Sequence, residues 1–280
     1  MMNILITGAS GQLGTELSKI LPNAITPSHQ ELDITDFVSV RDFTQKNHIN
    51  TIINCAAYTA VDAAEDDYFN AKNLNSNGPK NLAQTGCKLI HISTDYVFNG
   101  QSKTPYKTGD ETEPCSIYGW TKLVGESYVM KNSAEFAIIR TSWLYSPYGK
   151  NFVKTMRNLG ATRDSISVVD DQIGTPTYAA DLAEAIVQII PQMNFKNRGV
   201  YHYSNTGECS WYDFACEIMK LSGLKCKVLP TTSSEYKTRA IRPKYSVLDK
   251  TKIIQTFGIE IKDWQNALIR CIKEMDTQQK

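Results

Sequence analysis

The 280-residue sequence lacks an excess of charge of either sign and has no long apolar run. Its 30 lysines and arginines nearly balance 29 aspartates and glutamates, which leaves a formal net charge of +1. A protein that binds nucleic acid or a membrane surface usually shows a basic excess or a basic block. The apolar runs also fall well short of the roughly 20 residues that a membrane-spanning helix needs. We therefore expect neither a nucleic-acid partner nor a membrane.

The cysteines form no C-x-x-C pair, and there are seven of them, an odd number. Zinc sites and disulfide frameworks usually show paired spacings. We interpret the cysteines as reduced thiols, which predicts a cytoplasmic protein. The N-terminus shows neither the basic segment nor the apolar stretch of a signal peptide, which favours the same location.

Short β-branched runs alternate with helical patterns in the first half of the chain. Strands are predicted over 4–6, 51–55, 88–93 and 136–140, and helices over 12–21, 37–47, 71–85 and 122–131. Asp36 is the predicted N-cap of the second helix. Strands that are apolar on both faces and alternate with helices are typical of a parallel sheet covered on both sides. The sequence predicts an α/β fold with a doubly wound parallel-sheet Rossmann domain.

After Trp143 the alternation loosens. Helices are predicted over 151–159, 179–190, 211–221 and 263–274, and strands over 166–169 and 199–204. We expect residues 1–145 plus about 165–190 to form the dinucleotide-binding domain. Residues of about 146–164 plus 191–280 would form a smaller C-terminal α/β substrate-binding lobe, interleaved with the first domain.

Three glycines, Gly8, Gly11 and Gly14, lie between the first predicted strand and the first helix. Glycines here let the backbone turn tightly and approach a pyrophosphate, and the helix N-terminus offers unpaired N–H groups. The spacing is G-x-x-G-x-x-G, and its position between strand and helix is the context that dinucleotide binding requires. The sequence therefore predicts a site for NAD or NADP.

The choice between NAD and NADP depends on the residues that follow the first helix, where a Rossmann fold places the end of its second strand. An acid there usually holds the adenosine ribose 2′-hydroxyl of NAD. Residues 24–29 contain neither an acid nor an arginine, so we favour NADP and keep NAD open. Asp33 and Ile34 are expected near the adenine, with the alternative that Asp33 only caps a turn.

Tyr118 and Lys122 are four residues apart, which places them on one face of a helix. A neighbouring ammonium lowers the pKa of a tyrosine from about 10, which makes the pair a general acid for reducing a ketone. Thr94, in Ser93-Thr94-Asp95 at the end of a predicted strand, is placed to donate to the same carbonyl oxygen. The combination predicts an NAD(P)-dependent ketoreductase.

These motifs resemble the extended short-chain dehydrogenase/reductase superfamily and, more narrowly, the dTDP-4-dehydrorhamnose reductase family. Further similar segments are Ala56 to Asp62, Ser93 to Gly100, Arg140 to Trp143, Asp171 to Thr177 and Gly199 to Asn205. The resemblance covers nearly the whole chain. It implies that NAD(P)H reduces the 4-keto group of dTDP-4-dehydro-β-L-rhamnose to give dTDP-β-L-rhamnose, the last step in making that nucleotide sugar.

The resemblance also implies roles for residues. Tyr118 would donate the proton, Lys122 would lower the tyrosine pKa and hold the nicotinamide ribose, and Thr94 would orient the carbonyl. The implied cofactor-binding residues are Gly8, Ser10, Gly11, Gln12, Leu13, Gly14, Asp33, Ile34, Ala56, Ala57, Thr59, Tyr118 and Lys122. The implied substrate-binding residues are Thr94, Asp95, Tyr118, Trp143, Asn151 and Arg242.

The sequence departs from the family in two places. Ala63 follows Asp62, where members often have lysine. Some members bind magnesium at a dimer contact; Glu16 is present here, but Ala179 and Ala180 precede Asp181, so that acidic cluster is incomplete. We therefore assign no metal ligands, consider magnesium doubtful, and expect catalysis without a metal in a monomer or homodimer.

Two other functions fit parts of the sequence. The first is another nucleotide-sugar reductase, epimerase or dehydratase of the same superfamily, although the apolar run from Tyr96 to Phe98 favours simple reduction. The second is a non-catalytic NADP-binding regulatory subunit, similar to that of methionine adenosyltransferase. The presence of Thr94, Tyr118 and Lys122 together favours an enzyme.

Overall fold

The computed structural model describes residues 3–278. Its strands are β1 (Ile4–Thr7), β2 (Thr51–Asn54), β3 (Lys88–Thr94), β4 (Phe136–Thr141), β5 (Leu144–Tyr145), β6 (Ser165–Val169), β7 (Ile173–Gly174), β8 (Thr177–Tyr178), β9 (Gly199–His202), β10 (Cys209–Ser210) and β11 (Lys227–Thr231). Its α-helices are α1 (Gln12–Ile20), α2 (Phe37–Lys46), α3 (Val61–Ala64), α4 (Tyr68–Lys72), α5 (Gly78–Ala83), α6 (Ile117–Asn132), α7 (Phe152–Thr162), α8 (Ala179–Ile189), α9 (Trp211–Leu221), α10 (Thr251–Phe257) and α11 (Trp264–Gln278). A π-helical turn, Asn73–Asn77, joins α4 to α5.

The central sheet has the strand order β1-β2-β3-β4-β9, and every neighbouring pair in it is parallel. On the other side of β1, Ile25 forms a parallel bridge with Leu5. The chain therefore leaves β1 in one direction and returns to its other side as β2. Such a reversal opens a crevice at the carboxyl ends of the two strands, where ligands of doubly wound sheets bind.

Helices cover both faces of this sheet. On one face, Leu17 of α1 and Ile186 of α8 pack against alternate strand residues such as Ile6. On the other face, Leu82 of α5 and Val129 of α6 share a second cluster with the intervening strand residues. Both faces of each strand are buried, which explains the continuous apolar runs. The predicted doubly wound α/β fold is confirmed.

A third hydrophobic cluster lies outside the sheet, where α7, α9, α11 and β6 pack together through residues that include Val153, Phe214 and Leu268. Strand β6 pairs with β11, although residues 165–190 were expected in the dinucleotide-binding domain. Conversely, β9 extends the central sheet and α10 packs on it, although residues 191–280 were expected in the lobe. The local pattern of apolar residues predicts a strand but not which distant strand it will pair with.

Most predicted elements appear within one to three residues of their expected bounds, and the Asp36 side chain caps α2 by accepting from the Val38 amide. Helix α6 differs most, because it begins at Ile117 rather than at 122. The Ser116 hydroxyl caps it by accepting from the Gly119 amide, which places Tyr118 in its first turn. The helix expected over 71–85 is interrupted by the π-helical turn, and α10 and β11 were not predicted.

An ion pair between a buried carboxylate and a half-buried guanidinium connects α8 on the sheet to the terminal helix α11. Asp181 is 3% exposed and accepts from the Arg270 guanidinium at 2.5 and 2.6 Å, and from the Asn205 amide at 2.8 Å. A buried carboxylate is tolerated when such partners satisfy it. Removing one charge of the pair leaves the other without compensation.

We expect Asp181→Asn to lower the free energy of unfolding by about 2–3 kcal/mol, because it leaves Arg270 without its carboxylate. Urea unfolding followed by circular dichroism measures the change. Glu184→Gln is the control, since Glu184 lies on the same helix and its pair with Lys262 is exposed; such pairs contribute less than about 1 kcal/mol. Equal losses in both variants would contradict the assignment.

Candidate active site

The predicted functional residues converge at the carboxyl edge of the central sheet. Gly8 follows β1, Ala56 follows β2, Thr94 ends β3 and Trp143 follows β4. Because the strands are parallel, all four ends open on the same crevice. Helix α6 brings Tyr118 and Lys122 to this edge from beside β3.

The glycine turn after β1 is shaped for close approach of a ligand. Gly8 has φ +68°, and a Cβ on it would lie 2.6 Å from the Ala56 nitrogen. A Cβ on Gly14 would lie 2.3 Å from the Gly8 carbonyl oxygen. Helix α1 starts after Gly11 with no side chain capping its first amides, so these N–H groups remain available. The turn fits a dinucleotide pyrophosphate on the backbone, as the sequence predicted.

Two asparagines that the sequence analysis missed hold the opposite wall of this crevice. The Asn54 side chain accepts from the Ala56 amide at 3.2 Å and from the Thr7 hydroxyl at 2.7 Å. Asn75, in the π-helical turn, bonds both backbone groups of Tyr58. These bonds fix the loop that carries Ala56, Ala57 and Thr59. An isolated asparagine has no sequence signal that distinguishes it from a surface residue.

Asp33 and Ile34 precede α2, and Ile34 shares a hydrophobic cluster with Leu5 of β1. The Asp33 carboxylate accepts from the Thr35 amide and hydroxyl, both at 2.8 Å, so it caps a turn as the alternative proposed. Ile34 is buried, and its carbonyl accepts from the Asn81 amide. A role for either residue near the adenine stays a prediction.

Tyr118 lies beside Thr94 because α6 comes unusually close to the segment after β3. A Cβ on Gly119 would lie 2.2 Å from the Tyr96 carbonyl oxygen, so only glycine allows this approach. The rings of Tyr96 and Tyr118 meet edge to face with centroids 5.5 Å apart. Burial raises the pKa of Tyr118, and a hydrogen bond with Thr94 acts against this shift. The phenol therefore keeps its proton at neutral pH, as a proton donor must.

Lys122 is 2% exposed, and its ammonium donates to the Ile92 carbonyl at 2.6 Å. Burial lowers its pKa to about 8, while Glu126 and Cys55 act in the opposite direction. In the structure as described, burial, Thr94, Asp95 and Tyr96 act on the pKa of Tyr118. The expectation that Lys122 lowers the pKa of Tyr118 stays a prediction. The ammonium is directed at a backbone carbonyl, and burial dominates the phenol.

Asp95, immediately after Thr94, is 1% exposed and accepts from the Thr94 hydroxyl at 3.0 Å. Burial raises its pKa to about 6, although hydrogen bonds with Ser246 and Thr94 lower it. A titratable acid therefore stands next to the Thr94–Tyr118 pair. The sequence analysis placed Asp95 only among the substrate-binding residues.

Trp143 is half-buried in a conformation that favours glycine, with φ +47°. Its ring stacks on that of Trp211 with centroids 3.6 Å apart, and Gly174 lies against its edge. Backbone strain of this kind is concentrated at functional sites. Trp211, which the sequence analysis missed, and Phe152 extend the aromatic surface.

Arg242 and Asn151 have partners in the structure. Arg242 pairs with Asp62 of α3 at 2.7 Å, which brings the segment around it across the crevice. Asn151 caps α7, and its amide donates to the Gln12 side chain at 3.0 Å and to the Ser146 carbonyl at 2.8 Å. Asn151 therefore joins the lobe to the glycine loop.

The described residues 3–278 show no group of three or more His, Cys, Asp or Glu side chains arranged to hold a metal. Glu16 pairs with Lys19, and Asp181 with Arg270. Within the same range, no helix is both long enough and apolar enough to cross a bilayer.

A doubly wound sheet with a glycine turn after β1, and Thr94, Tyr118 and Lys122 at the same edge, defines an extended short-chain dehydrogenase/reductase. Residues 2–277 match the model of the family described as RmlD substrate binding domain. A dTDP-4-dehydrorhamnose reductase of Aggregatibacter actinomycetemcomitans is 41% identical, with 96% of this chain and 97% of the relative covered. The chain belongs to this family of oxidoreductases.

Solved structures agree with this assignment. A dTDP-4-dehydrorhamnose reductase of Clostridium acetobutylicum superposes with a TM-score of 0.95 at 46% identity, covering 98% of this chain and 100% of that one. The enzyme of Bacillus anthracis in complex with NADP superposes with a TM-score of 0.92 at 41% identity and the same coverage.

Stability should depend on pH through Asp95. Folding raises its pKa from 3.8 to about 6, so its stabilising contribution is complete below about pH 4 and is lost as the pH rises through 6. The free energy of unfolding of Asp95→Asn minus that of the parent protein should therefore be about 2 kcal/mol larger at pH 8 than at pH 4.5. Urea unfolding at both pH values measures this, with the exposed Asp42→Asn as control. A gain that does not vary with pH would contradict the buried acid.

Proposed function

We propose that the protein reduces the 4-keto group of dTDP-4-dehydro-β-L-rhamnose to give dTDP-β-L-rhamnose, with NADPH favoured over NADH. The observation that carries this proposal is the position of the Thr94 hydroxyl and the protonated Tyr118 phenol beside each other at the edge that the glycine turn shares. Family membership and the NADP complex of the Bacillus anthracis relative support it.

In the proposed reaction, reduced nicotinamide supplies hydride when it is bound. The Thr94 hydroxyl, which donates to Asp95 in the structure as described, would turn to donate to the oxygen at C4, which orients the carbonyl and stabilises the developing negative charge. Tyr118 donates its proton to that oxygen and becomes a phenolate. Lys122, buried one helical turn away, would stabilise this phenolate as a cation and would hold the nicotinamide ribose.

The proposed pocket places the cofactor and the sugar on different walls. Ser10, Gly11 and Gln12 would hold the pyrophosphate, with Ala56, Ala57 and Thr59 facing it across the crevice. The Trp143 ring, supported by Trp211, would pack on the sugar. Arg242 suits the substrate diphosphate through bidentate hydrogen bonds, in exchange for Asp62.

The state of the protein in the cell follows as part of the same proposal. The seven cysteines are free thiols, which suits the reducing cytoplasm. We propose a cytoplasmic enzyme that acts as a monomer or homodimer on a small nucleotide sugar, without nucleic-acid or membrane partners.

Tyr118→Phe should lower kcat by at least about 100-fold, because the ring remains while the proton donor is lost. The measurement is the fall in absorbance of reduced nicotinamide with NADPH and enzymatically prepared dTDP-4-dehydro-L-rhamnose. Tyr128→Phe, on the same helix, is the matched control and should retain activity. Product identification by NMR gives the configuration at C4.

Two results would overturn parts of the proposal. If the parent protein oxidises NADPH no faster than the Tyr118→Phe variant, it is not this reductase. If UDP-linked keto sugars are reduced equally well, the dTDP assignment fails while the class of reaction stands.

A further inference from the structure

Tyr118, Lys122 and Glu126 occupy successive turns along one side of α6. Glu126 has no exposed surface, so its negative charge lies in the protein interior one turn beyond the buried lysine. The proposed reaction assigns Glu126 no part. A buried carboxylate is costly unless partners satisfy it, so its contacts indicate what holds it there.

Two residues on neighbouring strands satisfy Glu126. The Arg140 guanidinium of β4 donates to both carboxylate oxygens, at 2.9 Å from Nε to Oε1 and 2.7 Å from Nη2 to Oε2. The Ser93 hydroxyl of β3 donates to Oε1 at 2.5 Å. Ser93 and Arg140 stand directly opposite each other in the β3–β4 register, so the carboxylate binds both strands at one point.

That point is adjacent to the proposed chemistry. Ser93 immediately precedes Thr94, whose hydroxyl faces Tyr118. The network therefore fixes α6, which carries Tyr118 and Lys122, against the strand that carries Thr94. Each of its members is at most 4% exposed, so water does not compete for these bonds.

The charges around Lys122 come from several elements. Glu126 acts on it from α6, Cys55 from the residue after β2 and His91 from β3. His91 is buried, and burial holds its pKa well below the usual value, so it remains neutral at pH 7. Cys55 also remains neutral, because burial raises its pKa to about 12. Glu126 is thus the anion that balances the Lys122 ammonium.

We propose that the Ser93–Glu126–Arg140 network is the positioning device of this active site, which locks α6 to β3 and β4 and maintains a negative charge beside Lys122. Glu126 and Arg140 are positioning residues in this account, since neither touches substrate or cofactor. The inference rests on the proposed function for its kinetic consequences, but its electrostatic consequence can be observed without substrate.

The two charged members should act in opposite directions on Lys122. Glu126→Gln removes the anion that balances the Lys122 ammonium, so the pH at the midpoint of the Lys122 titration should fall by about half to one unit. Arg140→Met leaves the Glu126 carboxylate without its guanidinium partner, so the effect of Glu126 on Lys122 should grow and the titration midpoint of Lys122 should rise. A variant that merely loosens the fold would move both midpoints in the same direction.

NMR of protein labelled at the lysine side chains, titrated from pH 6 to 11, measures the midpoint directly, with Lys122→Met assigning the signal. In parallel, the alkaline side of the pH profile of kcat should shift in the same order as the NMR midpoints. In both variants kcat should fall about tenfold, while the KM for NADPH should change less than about twofold. Asp181→Asn is the control, because it breaks another ion pair of a buried carboxylate far from Lys122 and should leave the midpoint unchanged.

The outcomes separate the two proposals. Midpoints that move together, or an equal shift in Asp181→Asn, would overturn the positioning role. If the single variants do not fold, the double variant Glu126→Gln/Arg140→Met, which removes both charges, should fold. Because it lacks the Glu126 anion, its Lys122 titration midpoint should lie below that of the parent protein, and an unchanged midpoint would overturn the role. Absence of turnover in the parent protein would contradict the reductase proposal, while opposite NMR shifts in the two variants would still support the electrostatic role of the network.

Discussion

The active site depends on the parallel pairing of β1, β2, β3 and β4, which aligns their carboxyl ends. This pairing brings four separate strand ends to one edge, and the reversal of direction after β1 leaves a crevice there. The backbone hydrogen bonds of the ladder are buried under helices on both faces, so the edge is rigid. Every group proposed for catalysis is within a few residues of such a strand end or on the helix that packs beside it.

Close packing by glycine extends this constraint from the sheet to the chemistry. Gly8 and Gly14 let the backbone of the first turn approach the loop at Ala56 and a pyrophosphate. Gly119 lets α6 approach the Tyr96 carbonyl, which sets Tyr118 beside Thr94. In each case a side chain would occupy the space that the contact needs, so a small residue determines where a large functional group stands.

Burial then determines the protonation of the site. It keeps Tyr118 a neutral phenol, raises the pKa of Asp95 to about 6, and lowers the pKa of Lys122 to about 8 against the opposite effect of Glu126. The buried pairing of Glu126 with Arg140 supplies that anion in a hydrogen-bonded form that the interior tolerates. Tyr118, Thr94 and Lys122, the residues proposed for catalysis, are therefore parts of one packed unit rather than independent side chains.

The sequence by itself determined the alternation of strands and helices, the glycine turn and the set of Thr94, Tyr118 and Lys122, because these depend on local spacing and composition. The family followed from the resemblance of its motifs to known members. Only the tertiary structure decided that β9 joins the central sheet while β6 pairs with β11, that Asn54 and Asn75 hold the Ala56 loop, and that the Lys122 ammonium donates to the Ile92 carbonyl. These features arise from contacts between distant residues and from desolvation, and neither leaves a periodic signal along the chain.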